Sequence, residues 1–235
     1  MKRILVLILM LLAFTAPACA KPSVDEFRRE GFDITRLGTV LVMPVKYAVS
    51  APASEAFFDE AVSQKWREIT AQTKLPFLVK TPREIVERHN FVKGTASADL
   101  SAQQTEAEAA SLAGQYVEAV LTATVTKCGV STVHHPEEVT WDTRYEKRSV
   151  WVRDHWEDHE FPVPYQRVNP AWDETSTVGA VKLELRDPRT PDNTLLYGVS
   201  AAAEAGDGFF SSAPTVTKHI CNLLEYAVKT MAKKK

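Results

Sequence analysis

Four histidines fall in one short stretch of this 235-residue chain: His134, His135, His155 and His159, with Glu137, Asp154 and Asp158 among them. Imidazole nitrogens beside a carboxylate suit Zn²⁺ or Cu²⁺. His155 and His159, four residues apart, share one side of a strand or of a helix. The spacing is not H-E-x-x-H, and Pro162 and Pro164 argue against a regular helix there. A metal site using His134, His135, His155 and His159 is one reading. Solvated or interface histidines are the other. Glu137, Glu138, Asp154, Glu157 and Asp158 bring to mind a hydrolase pair, which needs two carboxyls at a set separation in a cleft. Their mixture with Arg144, Lys147, Arg148 and Arg153 reads better as a charged surface.

The wider region from Gly129 to Ser176 holds four of the five tryptophans, Trp141, Trp151, Trp156 and Trp172. Val139 to Tyr145 alternates, with Trp141, Thr143 and Tyr145 on one side and Asp142 and Arg144 on the other. Aromatic and arginine side chains are the usual anchors of protein interfaces. Trp141, Tyr145, Trp151 and Trp156 are therefore candidate partner-binding residues, with packing of a hairpin onto the core as the alternative. Ser149 to Arg153 is expected to return antiparallel, followed by a stretch interrupted by Pro162, Pro164 and Pro170.

Cys128 and Cys221 have two readings. A disulfide between them would close a loop of about ninety residues and contribute roughly 4 kcal/mol. Alternatively, both are buried thiols packing as small hydrophobes. No catalytic signature accompanies them. G-x-S-x-G, the phosphate-binding G-x-x-x-x-G-K-[ST] and the dinucleotide G-x-G-x-x-G are all absent, so neither a catalytic residue nor a cofactor is expected.

The flanking elements that would position this stretch are legible as apolar runs. Thr39 to Val45 (TVLVMPV) is a continuous β-branched and apolar run that fits a strand covered on both faces, with Pro44 near its end. Ser54 to Gln72 places Phe58, Val62, Trp66 and Ile69 on one helical stripe. Leu75 to Lys80 is a short strand candidate, and Pro82 to His89 a short helix carrying Ile85 and Val86. Ser101 with Gln104 makes a capping box for a helix to about Ala113, ended by Gly114. Val117 to Val125 follows as a strand. Ala180 to Arg186 and Thr194 to Ala202 make a hairpin, and Ser212 can cap a last helix with Val216, Ile220, Leu224, Ala227 and Met231 on its apolar face. The expected class is α/β: a two-layer or three-layer-like sandwich of a mixed sheet with helices, plus an inserted Trp/His-rich β-hairpin.

Residues 1–20 read as an export signal: Lys2 and Arg3, an apolar run from Ile4 to Phe14, and a small-residue tail. That run is shorter than the roughly 20 residues a membrane-spanning helix needs, and nothing later in the chain is long and apolar enough. Ala18-Cys19-Ala20 fits simple cleavage. Cys19 as a lipid-bearing first residue is the alternative. Both place residues 21–235, read as one α/β domain with an insertion at about 129–176, in the periplasm or on the outer membrane facing it. Without Lys2 and Arg3 the chain has 26 basic and 30 acidic residues, which gives no broad attraction for nucleic acid.

The order of these elements resembles a family of bacterial envelope proteins. It includes the curli secretion-channel subunit, the amino-terminal domain of TolB and the lipoprotein activators of penicillin-binding proteins. The features carrying the resemblance are VLVMPV, FLVKTPREIVERH, AEAASLAGQYVEAVLTATV, VKLELRDPRTPDNTLLYG and the closing helix, over residues 37–128 and 177–231. The resemblance implies binding, in channel assembly, docking or activation of an enzyme in trans. It carries over no site residue. The Trp/His-rich segment departs from it, and Lys147, Arg148 and Arg153 set that segment apart from a pore-forming hairpin. The sequence thus points to a non-catalytic accessory protein that binds another envelope protein, with self-association open. The alternative is a periplasmic transition-metal-binding protein.

Overall fold

The computed structural model describes residues 21–50, 52, 55–95, 99–206 and 212–233. The export signal, Cys19 with its two fates, Ser54 and the last two lysines lie outside the described residues. Two compact units emerge, one formed by the chain up to Ser131 together with Ser176 onward, the other by Thr132–Thr175.

Within the first unit, β2 (Thr39–Val42) shows why its sequence is apolar without interruption. Val40 and Val42 point into one buried cluster, Leu41 and Met43 into another. Period-two alternation with both faces covered makes every residue from Val40 to Met43 apolar. The first cluster holds α1 (Phe58–Gln72) and α4 (Val216–Ala232); the second holds α2 (Pro82–Lys93) and α3 (Ala102–Tyr116). Helices thus cover both sheet faces, and of the two expected architectures the three-layer one is formed.

The described sheet runs β1-β9-β8-β5-β2-β4, with β3 (Lys46–Tyr47) beside β5. Here β1 is Ser23–Arg28, β4 Leu78–Lys80, β5 Ala119–His135, β8 Trp172–Arg186 and β9 Leu195–Gly206. β2 runs parallel to β4 and β5, whereas β9 runs antiparallel to β1 and β8. The sheet is therefore mixed, as expected. β1 was not foreseen. It is an exposed edge strand with little apolar content, held by its ladder to β9 and by Ser23 Oγ donating to Ala202 O at 3.1 Å.

Phe58, Val62, Trp66 and Ile69 are buried along α1 as the stripe predicts, and Trp66 Nε1 donates to Met43 O at 2.9 Å. The helix begins at Phe58, after Phe57 in the left-handed region at φ 68°. α2 extends past His89 to Lys93, capped by Gly94 at φ 66°. The Ser101–Gln104 capping box forms, yet α3 continues through Gly114 to Tyr116. Gly114 marks a close approach instead: a Cβ there would lie 3.1 Å from Pro188 O. The cap of α4 is Thr215, whose side chain accepts from Lys218 N, and not Ser212. Val216, Ile220, Leu224, Ala227 and Met231 are buried as expected.

The second unit contains β6 (Glu138–Val152) and β7 (His155–Asn169), an antiparallel pair in unbroken register from Glu138↔Asn169 to Val152↔His155. Two expectations are corrected here. Ser149 to Val152 belongs to the outgoing strand, and the chain turns at Arg153 and Asp154, both with positive φ. Pro162 and Pro164 do not interrupt the return but lie inside β7. A two-stranded sheet has an outer edge on each strand, where a missing N–H breaks no ladder bond.

Candidate functional site

Fourteen residue steps separate the first and last rungs of the β6–β7 ladder. At ordinary strand rise this makes a ribbon of about 48 Å. Register divides its side chains into two faces. On one lie Val139, Trp141, Thr143, Tyr145, Lys147, Ser149 and Trp151, opposite Val168, Gln166, Pro164, Pro162, Glu160, Asp158 and Trp156. The other carries Asp142, Arg144, Glu146 and Arg148, opposite Tyr165, Val163, Phe161 and His159. The alternation read from the sequence is thus realised over the whole ribbon.

The four aromatic candidates share the first face and are open to solvent: Trp141 at 69% exposure, Tyr145 68%, Trp151 56% and Trp156 66%. From Val139 to Tyr145 that face carries no charge on either strand. Toward the turn, Lys147 pairs with Glu160 at 3.9 Å and Ser149 Oγ donates to Asp158 at 2.6 Å. Trp151 and Trp156 then close the ribbon. Isolated exposed apolar residues are ordinary on a protein surface; here four large aromatic side chains share one face of the ribbon.

The opposite face is an ion-pair string. Glu146 accepts from Arg144 at 2.6 Å and from Arg148 at 3.2 Å. The hydrogen bonds from Arg148 and Arg144 hold the Glu146 carboxyl below its ordinary value. Tyr165 donates to Asp142 at 3.2 Å.

The four histidines form two separate groups. His134 Nδ1 lies 2.7 Å from Asp173 and His135 Nε2 lies 3.1 Å from Glu174, while the His135 ring stacks on Trp172 at 4.1 Å. His155 and His159 both reach Glu157, at 2.6 and 3.2 Å. The rung of His159 lies ten steps along β6 from that of Glu138. Ten steps of strand span about 34 Å. The three residue steps from Glu138 back to His135 can recover at most about 11 Å of that. His135 and His159 therefore stand more than about 20 Å apart, and one ion cannot bind all four. Among the described residues no group of three or more His, Cys, Asp or Glu can hold a metal ion. Sequence spacing grouped the histidines because it did not show how far the ribbon extends.

The cysteine pairing allowed by the sequence is also absent. Cys128 and Cys221 are free, half-buried thiols packed against the core, and Cys128 Sγ lies 3.7 Å from Ser50 O. Burial raises both above the ordinary thiol range.

One contact in the first unit escaped sequence reasoning. The Glu55 carboxylate accepts from Val216 N at 2.6 Å and from Thr217 N at 2.8 Å, and it also binds the Thr217 hydroxyl. It sits on the orphan donors at the start of α4. Burial alone would raise its pKa, but these hydrogen bonds prevail and hold it below the ordinary value. No local pattern links residues so far apart in the chain.

No described helix is long and apolar enough to cross a membrane. No family model and no curated protein matches the chain. Among solved structures, it is similar to the PelC dodecamer from Paraburkholderia phytofirmans, with 10% identity over 92% of this chain and 100% of that one, TM-score 0.39. It is similar to the hypothetical protein CT253 from Chlamydia trachomatis, with 13% identity over 84% and 97%, TM-score 0.38. It is also similar to the lipoprotein GNA1162 from Neisseria meningitidis, with 14% identity over 83% and 98%, TM-score 0.34.

Proposed function

We propose that this chain is a non-catalytic accessory protein of the bacterial cell envelope that binds another envelope protein through the aromatic face of the β6–β7 ribbon. The observation carrying this reading is the alignment of Trp141, Tyr145, Trp151 and Trp156 on one solvent-exposed face. Large rigid aromatics bury much area for little side-chain entropy, which suits them to anchor an interface. The export signal read in residues 1–20 supports a location in the periplasm or on the outer membrane facing it. Assembly or activation of the partner is the role this implies.

The test is a cross-linked pull-down of the tagged, exported protein from whole envelopes, run beside a variant with all four aromatics replaced by alanine. The reading predicts a defined partner retained by the natural chain and lost by the variant. Equal capture by both would overturn it.

A further inference from the structure

We propose that two copies of this chain pair through the outer edge of β6, antiparallel and centred on Tyr145, to make a four-stranded sheet in the order β7-β6-β6-β7. The inference goes beyond the partner reading: it is carried by a backbone edge and the charged face of β6, with Tyr145, Trp141 and Trp151 of the aromatic face also lying on rungs of the seam.

Each strand of the two-stranded sheet has one edge with no neighbour among the described residues. The two edges differ. Proline has no N–H, so Pro162 and Pro164 belong on rungs where the β7 donor would point away from β6. They delete two donors from the outer edge of β7, the usual protection against strand addition. On the same rungs Tyr145 and Thr143 turn their own N–H and C=O groups outward. β6 contains no proline, and its edge is intact from Glu138 to Val152.

The occupant of that edge is written in the charge order of β6. Tyr145 is the midpoint of the strand. Pairing two copies about it sets Arg144 opposite Glu146 of the second copy, and Asp142 opposite Arg148. On the other face Thr143 meets Lys147, Trp141 meets Ser149 and Val139 meets Trp151. All four charge contacts are attractive, since the two-fold repeats each pair, and directly opposed unlike charges stabilise antiparallel strands. Within one chain Arg144 and Arg148 both lean on Glu146 and stand 61% and 62% exposed, so they are free to change partners. The resulting sheet ends on the proline-bearing β7 at both sides. Assembly therefore stops at two copies.

The test is the mass of the purified, exported protein by light scattering over a concentration series. The natural chain is expected to be a dimer. Asp142→Arg sets two like-charge contacts across the axis and should weaken the dimer by about tenfold or more. Adding Arg148→Asp reverses both partners and should restore it. In a background of Cys128→Ser and Cys221→Ser, Tyr145→Cys should form an intermolecular disulfide. Trp151→Cys should not, because its two copies stand about 40 Å apart. A monomeric natural chain would overturn the proposal. So would a dimer indifferent to Asp142→Arg, or cross-linking as efficient at position 151 as at 145. Equal capture of the envelope partner by the natural chain and the four-alanine variant, with the natural chain dimeric, would sink the partner reading and leave this one standing.

Discussion

Trp151 and Trp156 face each other across the end of the β6–β7 ladder, their ring centroids 5.3 Å apart and their planes at 70°. An edge-to-face pair of this kind contributes about 0.5–1.5 kcal/mol beyond its buried area. Both rings are more than half exposed, so the pair contributes little to the fold as a whole. Replacing both with alanine is expected to leave the circular dichroism unchanged and to weaken partner capture by at least about tenfold. Collapse of the strand signal in that variant would instead give these rings a packing role.

Glu55 should make the start of α4 sensitive to acid. Against the effect of burial, its carboxyl is held below the ordinary 4.5 in the folded chain by the Thr217 and Val216 donors. A group with a depressed folded pKa contributes stability that is present above its unfolded value and lost as pH falls through the folded one. Denaturant titrations should therefore show stability declining below about pH 4.5, and Glu55→Gln should flatten that decline. At neutral pH the same substitution should cost about 1–2 kcal/mol, as for loss of a helix cap. A variant with unchanged neutral stability and an unchanged acid limb would contradict this role.

Gly179 of β8 lies directly under three side chains of α4. A Cβ there would lie 2.8 Å from His219 Cδ2 and 2.9 Å from the Cδ1 atoms of Ile220 and Leu223. His219 is buried with its Nε2 3.0 Å from Ala203 O, so it has little room to retreat. Gly179→Ala is expected to lower stability by about 1–3 kcal/mol, measured as a shift in the unfolding midpoint. A neutral result would mean that α4 moves freely on the sheet.

Trp66 joins α1 to the end of β2 through its hydrogen bond to Met43 O. Trp66→Phe keeps an aromatic ring but leaves a cavity and a buried carbonyl without its partner. The expected cost is about 2–4 kcal/mol by chemical denaturation. A loss below about 0.5 kcal/mol would show that another donor reaches the carbonyl.

Much of the fold was legible where side chains are sorted by water. The stripe on α1, the capping box of α3, the uninterrupted apolar run of β2 and the apolar face of α4 all follow from burial and local hydrogen bonding. The unforeseen parts lack that signal. β1 is a polar edge strand specified by its neighbour β9, and the far half of β5 is exposed. β7 is a strand despite two prolines, which only an unpaired edge tolerates. For the candidate site, the alternation of Trp141, Thr143 and Tyr145 was readable from sequence. The separation of the histidines was not, because distance along a ribbon depends on where the chain turns. The Glu55 contact to α4 is long-range in the same way.

The central claim is best tested by photo-cross-linking in whole envelopes, with a photoreactive side chain placed singly at Trp141, Trp156, Thr140 or Arg167. The first two positions lie on the aromatic face, the last two on the opposite face of the same ribbon. Partner binding through the aromatic face predicts a discrete adduct, different in mass from a dimer of this chain, at positions 141 and 156 only. Adducts of equal yield from both faces, or from positions 140 and 167 alone, would contradict it.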